Sequence, residues 1–324
     1  MPSRIFLGAL GIAGAALTAA CSDGVTSTRS TPVTIDGRIP AFAARTPTSR
    51  DILPTGKGLD VATDPSPPPR TRNRIEYHPG GPIIPDVQNT YFIWYGSWPS
   101  TDPVRSNFQI VMADLASTLC DRPYTDMFRA YTNPDGRAPR GCMFFAGSGV
   151  DAFSHGPTLS DADVADVIAN QVFTSQMPLD PSGIYFVMAS PEIAESSGFG
   201  TSYCGWHGRT TILGFMVHFA FIGWPGRAPT NCAPNGDGPN GNASADAAAS
   251  HFVALWADMV TDPNYDAWFD KLGLEVADKC VWTYGTTYTA PNGKAANVHL
   301  GYRDFLLQQL WVPTKSGGAC GLHP

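Results

Sequence analysis

The sequence lacks most of the short motifs that point to a known chemistry. It has no HExxH zinc-peptidase motif, no complete GxSxG nucleophile turn and no CxxC spacing of the kind that binds zinc. It also lacks a basic cluster, and its formal net charge is -7, which excludes nucleic acid and an anionic bilayer as electrostatic partners. After the N-terminal segment, no apolar run approaches the roughly 20 residues that a transmembrane helix needs. We therefore expect a mature protein that is anchored or secreted rather than integral to a membrane.

The N-terminus has the form of an export signal. Met1 and Arg4 precede an apolar run over residues 5–20, which is too short to span a bilayer and ends in small residues. The residues before Cys21 resemble a bacterial lipobox, in which the cysteine is lipidated, although Thr18 stands where leucine is usual. We predict that residues 1–21 are a signal peptide and that Cys21 is the lipidation site. Ordinary signal-peptidase cleavage is the alternative, so the protein is expected to be a cell-envelope lipoprotein or extracellular.

Composition divides the rest of the chain in two. Residues 22–74 are rich in Pro, Ser and Thr and have no sustained apolar period, so they cannot bury enough surface to offset their ordering entropy. We predict a disordered tether there, whose membrane attachment is through the N-terminal lipid alone. Residues 75–324 are long enough for one domain with a substantial core, and 43% of the whole chain is hydrophobic.

The cysteines predict disulfides. Apart from Cys21, the chain carries Cys120, Cys142, Cys204, Cys232, Cys280 and Cys320. An even number in an exported chain is typical of disulfide bonding, although six cysteines allow about 15 sets of pairs. The preferred set joins neighbours along the chain. A Cys/His zinc site is the alternative, and the absence of CxxC spacing disfavours it.

Hydrophobic periodicity predicts alternating strands and helices. Strands are predicted over residues 90–98, 141–147, 183–190 and 210–222, and helices over 107–119, 161–173, 246–260 and 302–311. Ser160 is the predicted cap of the second helix, because acidic residues follow it in the first turn. Repeated strand and helix units indicate a single three-layer α/β domain with a mainly parallel or mixed sheet flanked by helices and stapled by disulfides.

Several motifs in this domain resemble the Exordium family, also called phosphate-induced protein 1. They are IWYG at residues 93–96, CGWHG at 204–208, VTDP at 260–263, the Leu274-Glu275 pair followed by Cys280, and the region from 297 to 307 with the late Cys320. The resemblance implies a secreted cell-surface protein of the kind linked to growth control at the plant cell wall. It implies no agreed catalytic chemistry. The chain departs from the plant pattern at Asp262, where asparagine is usual, and in a shortened loop around Cys232.

His207 and His251 are the candidate site residues with the clearest context. His207 lies in a glycine-flanked loop beside Cys204, where an imidazole can serve as a base, a ligand or a hydrogen-bond donor. His251 lies on the predicted long helix, and Asp258 follows two turns later on the same face. We predict His207 and Glu275 as catalytic residues and His251, His207 and Asp258 as ligands of Zn or Ca. The alternative is that His251 and Asp258 are ordinary polar residues flanking a core stripe.

Two functions follow from these patterns. The first is a non-enzymatic binding or growth-associated protein of the envelope, which uses exposed aromatic residues around Trp98, Trp206 and Trp224 to recognise a polysaccharide or another envelope component. The second is a metal-dependent hydrolase with a degenerate zincin-like site. Glu275 and Asp246 are further candidates for holding loops in place or binding Ca²⁺.

Overall fold

The computed structural model describes residues 74–120, 123–271, 273–314 and 317–322. The predicted signal peptide, the lipidation site Cys21 and the predicted tether as far as residue 73 lie outside the described residues. Within the described part, no helix combines the length and the apolar character needed to cross a bilayer.

Helices lie mainly in the first three quarters of the described domain, and short strands follow the last helix. The helices are α1 (Pro103–Thr118), α2 (Asp161–Phe173), α3 (Pro229–Cys232) and α4 (Ala243–Thr261). The strands are β1 (Glu76–Tyr77), β2 (Gln88–Tyr95), β3 (Met143–Asp151), β4 (Thr158–Leu159), β5 (Ile184–Ala189), β6 (Ala194–Glu195), β7 (Gly205–Ile212), β8 (Phe215–Ile222), β9 (Trp268–Phe269), β10 (Tyr288–Thr289), β11 (Ala295–Ala296), β12 (Val298–Leu300), β13 (Arg303–Phe305), β14 (Leu310–Val312) and β15 (Ala319–Gly321). Among the described residues, 3₁₀ helices cover Pro123–Ala130, Pro225–Arg227 and Asp278–Cys280.

The central sheet has five strands in the order β3-β2-β5-β8-β7. All neighbours are parallel except β7 and β8, which form an antiparallel pair at one edge. The mixed α/β class and the mixed sheet predicted from the sequence are therefore confirmed. The predicted helix cap is confirmed too, because Ser160 and Asp163 form a reciprocal capping box at the start of α2.

Alternate side chains of β2 enter two different hydrophobic clusters. Phe92 and Trp94 pack with residues of α1 and α4, whereas Ile93 and Tyr95 pack with residues of α2. This alternation follows from the two-residue period of a strand. Because both sides of β2 are buried, its sequence is a nearly continuous apolar run.

Helix α4 is buried along almost its whole length. Five alanines, at positions 245, 248, 249, 254 and 257, are among its buried residues, and small side chains let neighbouring elements approach the helix backbone closely. Asn242 caps the first turn by accepting a hydrogen bond from the amide of Ala245. The helix ends at Asp262, whose Oδ1 accepts from the amides of Asp266 and Ala267. Polar residues on this helix consequently lie inside the protein.

The predictions for two segments are wrong. Residues 210–222 form the end of β7, a two-residue turn and β8, not one strand. Residues 302–311 form β13, a connection and β14, not a helix. Long-range hydrogen bonds explain the second error: the amide of Trp311 donates to Val276 and that of Gln308 donates to Ser250 Oγ. Partners distant in sequence therefore override the local helical spacing.

The structure confirms the disulfide pairs preferred from the sequence. Cys120 is bonded to Cys142, Cys204 to Cys232 and Cys280 to Cys320. The last pair links the turn over residues 278–280 to β15. This disulfide therefore joins a C-terminal strand to the region that follows α4.

The turn between β7 and β8 supports a stability prediction. Leu213 and Gly214 both have positive φ, as a type I′ hairpin turn requires. Leucine is unfavourable in that conformation, whereas asparagine tolerates it. Since the Leu213 side chain is exposed, Leu213→Asn should raise the free energy of unfolding by about 1 kcal/mol in a denaturant titration. Leu213→Ala is the matched control, because it removes the exposed leucine without favouring positive φ; equal stability in the two variants would contradict the prediction.

Candidate functional site

His207 and Glu275 form a buried pair. His207 lies near the start of β7, and its Nε2 is 3.2 Å from Oε2 of Glu275. Both side chains have no exposed surface. The two residues predicted as catalytic are therefore in direct contact, although they are 68 positions apart in the sequence. A buried pair of this kind is costly to form and strongly destabilising to break.

Tyr265 fixes the position of the His207 ring. The two rings stack with their centroids 4.4 Å apart, and the Tyr265 hydroxyl donates a hydrogen bond to the carbonyl oxygen of His207. Tyr265 has a positive φ of 64°, in the turn that follows the end of α4. Strain in a bulky residue at such a dihedral persists only where surrounding contacts hold it. The imidazole of His207 is thus positioned by strand β7, which carries it, and by Tyr265 in the turn after α4.

Three carboxylates lie close together beside this pair. Asp258 on α4, Glu275 and Asp278 have oxygen atoms within 4.8 Å of one another, and all three residues are buried. Asp258 Oδ1 accepts from the amide of Ala277 at 2.7 Å, and Asp278 Oδ2 accepts from the amide of Glu275 at 3.1 Å. Carboxyl groups this close cannot all ionise out of water unless protons, an imidazolium or a cation compensate them.

This acidic cluster suits some cations better than others. Its donors are all carboxylate oxygens, which are the ligands that Ca²⁺ prefers. Zinc usually takes nitrogen and sulfur ligands in tetrahedral sites. Among the described residues, the close group contains neither His207 nor His251. The donor set therefore fits calcium more closely than the predicted histidine-rich zinc centre.

Two tyrosines lie near Asp258. Burial, reinforced by the charge of Asp258, raises the pKa of both Tyr124 and Tyr131 above the ordinary phenol value. Their hydroxyls donate to main-chain carbonyls, that of Tyr124 to Gln308 at 2.7 Å and that of Tyr131 to Trp311. Both phenols therefore serve as neutral hydrogen-bond donors that tie the C-terminal strands to the core.

His251 occupies a different environment. Its ring meets Trp282 edge-on with centroids 5.5 Å apart. No described residue forms a hydrogen bond to either of its ring nitrogens. Burial lowers the pKa of His251 to about 3, so the imidazole is neutral at physiological pH. The structure places His251 in the aromatic core and outside the acidic cluster; its role as a metal ligand stays a prediction.

Asp246 holds a loop, as one of the two sequence interpretations expects. Its carboxylate accepts hydrogen bonds from the amides of Gly238, Asn240 and Asn242 and from the side chain of Asn240. Burial raises the pKa of Asp246, and the hydrogen bonds from Asn240 and its neighbours oppose that rise. Each bond gives the segment before α4 a fixed path. The carboxylate therefore positions a loop through its main chain.

The tryptophans are less exposed than the sequence analysis expects. Trp206 is 4% exposed and Trp224 is 7% exposed, so the prediction that they form an exposed aromatic surface is wrong. Trp206 and Trp224 pack in different hydrophobic clusters, and Trp224 stacks on Phe108 of α1 with centroids 4.9 Å apart. Trp98 is half-buried and meets Trp224 edge-on. Only the rim of this aromatic group reaches the surface.

Sequence reasoning missed an ion-pair network beyond the carboxyl ends of β2 and β5. Arg105 contacts Glu192 at 3.2 Å and Asp102 at 3.0 Å, and Glu192 accepts from the amide of Ser97 at 2.8 Å. Glu192 follows β5 in the sequence, and Arg105 follows Asp102 by one helical turn. The sequence feature that could have predicted this network is the position of polar residues directly after buried strands.

Comparisons with known proteins agree with the motifs. A family model described as the phosphate-induced protein 1 conserved region matches residues 75–320. The chain belongs to the phosphate-induced protein 1 family. Two relatives from Arabidopsis thaliana are each 26% identical: Protein EXORDIUM-like 5, with 74% of this chain and 75% of the relative covered, and Protein EXORDIUM-like 3, with 74% and 80% covered. No solved structure matches the chain.

Membership of the phosphate-induced protein 1 family agrees with the observed chemistry of the domain. The match includes His207 and Glu275 as well as Asp258 and Asp278. The three disulfides suit an exported protein, because such bonds form and persist in oxidising compartments. Family membership by itself assigns no reaction to the buried cluster.

The depressed pKa of His251 predicts a loss of stability in acid. An unfolded histidine titrates near pH 6.5, so between pH 6.5 and about 3 the unfolded chain binds a proton that the folded chain does not. The free energy of unfolding should then fall by about 1.4 kcal/mol per pH unit on acidification because of this residue. His251→Leu removes that dependence. Between pH 7.5 and pH 5, the free energy of unfolding of the wild type should fall by about 2 kcal/mol more than that of the variant, as measured by denaturant titration.

The control for this measurement is Ser250→Ala on the same helix. Ser250 is buried and accepts a hydrogen bond from the amide of Gln308, but it does not titrate in this range. Its effect on the free energy of unfolding should therefore be the same at each pH. A constant difference between wild type and His251→Leu across the range would refute the assignment.

Proposed function

We propose that this chain is an exported, non-enzymatic binding protein of the cell envelope that recognises a polysaccharide or another envelope component. The observation that carries the proposal is the burial of every residue predicted for catalysis or metal binding. His207, His251, Asp258 and Glu275 are each 0% exposed. A polymeric substrate cannot reach side chains that have no accessible surface, whereas a binding protein requires only its outer surface.

The proposal includes the predicted route to the envelope. A signal peptide over residues 1–21, lipidation at Cys21 and a tether over residues 22–74 would display the domain outside the cytoplasm. The three disulfides support export but do not distinguish a lipid anchor from full secretion. We also propose a three-layer arrangement for the domain, supported by the contacts of α1 and α4 with one cluster and of α2 with the other.

The alternative is a metal-dependent hydrolase. The observation that favours it is the close approach of Asp258, Glu275 and Asp278, together with the contact between His207 and Glu275. A bound cation would compensate the charge of the clustered carboxylates. His207 contacts Glu275, so it would be close enough to take up a proton that Glu275 passes on. Such an enzyme would have to open before a substrate could reach the cluster.

Binding to purified polysaccharide tests the main proposal. The full chain should co-sediment with at least one insoluble polysaccharide or with peptidoglycan, and salt should weaken the association little because the protein carries no basic cluster. The matched control is the same chain after reduction and unfolding, which should stay in the supernatant. Failure of the folded protein to bind any polysaccharide or cell-surface extract would refute the proposed function.

Metal content separates the two functions. Elemental mass spectrometry of the full chain, purified without chelator, should show no stoichiometric zinc if the protein is a binding protein of the proposed kind. If it is a metal-dependent hydrolase, the wild type should carry about one metal ion per chain, as expected for a dedicated site. The double variant Asp258→Asn and Glu275→Gln should then lose both metal and turnover. Stoichiometric zinc with hydrolytic turnover would overturn our preference.

A further inference from the structure

A surface cleft lies between the beginnings of two helices. It has a volume of about 540 Å³, within the range of roughly 300–1,000 Å³ typical of small-molecule sites. It is lined by Pro103, Val104, Asn107, Trp224, Asp237, Gly241, Asn242, Ala243 and Ser244. These residues come from the first turns of α1 and α4, from the loop before α4 and from the segment after β8. The cleft thus lies beyond the carboxyl end of a parallel strand, where open α/β sheets usually bind ligands.

Two polar groups that line this cleft have no hydrogen-bond partner in the described part of the protein. Trp224 is 7% exposed and Ser244 is 7% exposed, and both side chains line the cleft. No described residue accepts a hydrogen bond from the indole Nε1 of Trp224 or bonds to Ser244 Oγ. Neither atom is among the buried unpartnered atoms of the described residues, so both reach solvent at the cleft. A donor and a hydroxyl that face solvent beside an aromatic wall are available to an external ligand.

Gly226 lets these two groups approach its backbone closely. A Cβ atom at position 226 would lie 2.7 Å from Ser244 Oγ and 2.7 Å from Trp224 Nε1. Real Cβ atoms do not make contacts that short, so any larger residue would press on both groups. The absence of a side chain at Gly226 therefore lets Ser244 Oγ and Trp224 Nε1 keep their positions.

The aromatic wall of the cleft is rigid. Trp224 stacks on Phe108 and meets Trp98 edge-on, and the indole of Trp98 donates to the carbonyl of Tyr95 at 3.0 Å. These contacts set the indole of Trp224 in one orientation. Pre-organised groups bind more tightly because less conformational freedom is lost on binding.

The chemistry of the lining favours a neutral polyhydroxylated ligand. No lysine or arginine is present among the described residues that line the cleft, and Asp237 contributes a carboxylate. Asn107 and Ser244 offer polar atoms, while Val104 and Trp224 offer apolar surface. A sugar ring presents both hydroxyl groups and an apolar C–H face, so it matches this combination. A polyanion would meet a carboxylate with no cation to offset it.

We propose that this cleft is a subsite for a neutral saccharide, in which Trp224 Nε1 and Ser244 Oγ bond to the hydroxyl groups of one sugar unit. The proposal rests on the proposed binding function and gives it a location and a ligand class. It also replaces the exposed tryptophan surface expected from the sequence, because Trp224 lines the cleft and Trp206 does not.

Isothermal titration of the full chain with neutral oligosaccharides tests the assignment. The probes are hexasaccharides of β-linked glucose, xylose and N-acetylglucosamine, with an oligogalacturonate as the anionic comparison. Trp224→Phe keeps an aromatic ring but removes the N–H donor, and Ser244→Ala removes the hydroxyl. Each should weaken binding of a neutral hexasaccharide by about tenfold, as expected for loss of one hydrogen bond in a partly buried site.

Trp206→Phe is the matched control. Trp206 is 4% exposed and its Nε1 has no hydrogen-bond partner in the described structure, but it lies on β7 and does not line the cleft. The Trp206→Phe variant should bind the hexasaccharide with the same affinity as the wild type. Gly226→Ala gives an independent test, since its methyl group would displace Ser244 Oγ and Trp224 Nε1 and should abolish binding. Thermal melting of each variant distinguishes lost binding from lost folding.

The outcomes separate the two proposals. If the wild type binds no saccharide, the proposed binding function fails. If it binds a neutral hexasaccharide but Trp224→Phe and Ser244→Ala bind equally well, the function stands and the assignment of this cleft is overturned. If only the oligogalacturonate binds, the choice of a neutral ligand is overturned.

Discussion

Burial of α4 is the constraint on which the rest of the domain depends. The helix lies between the sheet and the C-terminal segments, and its polar residues are buried with the apolar ones. Leaving a buried polar group unpaired costs about 1–3 kcal/mol, so most of these groups are paired with other parts of the chain, whereas His251 has no hydrogen-bond partner among the described residues. Asp258 accepts from the amide of Ala277, Ser250 accepts from Gln308, and Asp262 accepts from Asp266 and Ala267. The irregular C-terminal segments consequently take paths that satisfy this helix.

The same constraint accounts for the location of the acidic cluster. Asp258 extends from the helix toward the turn that carries Glu275 and Asp278, and the disulfide between Cys280 and Cys320 holds that turn against β15. His207 approaches from the sheet edge and pairs with Glu275. Four groups from three parts of the chain thus meet in a region without solvent. Clustering of this kind stabilises one arrangement of the elements, because any displacement would leave a charge without compensation.

The opposite end of α4 has a different character. There the helix is capped by Asn242, the preceding loop is held by Asp246, and the neighbouring cleft is open to solvent. The buried cluster and the open cleft therefore lie toward opposite ends of one helix. The first has the properties expected of a structural centre and the second those expected of a binding surface, which is why the proposed function is assigned to the cleft.

The sequence by itself determined the mixed α/β class and the limits of α2 and α4 to within a few residues, because these features depend on local signals such as the cap at Ser160 and continuous apolar runs. It indicated disulfide bonding and a preferred set of pairs, and the structure decided the pairing. The sequence also brought out His207 and Glu275, because their motifs were recognisable. Only the tertiary structure decided that residues 213–214 form a turn, that residues 302–311 are extended, and that His251 and Trp224 are buried. These outcomes depend on partners far along the chain, whose hydrogen bonds and packing outweigh local propensity and cannot be inferred from residue spacing.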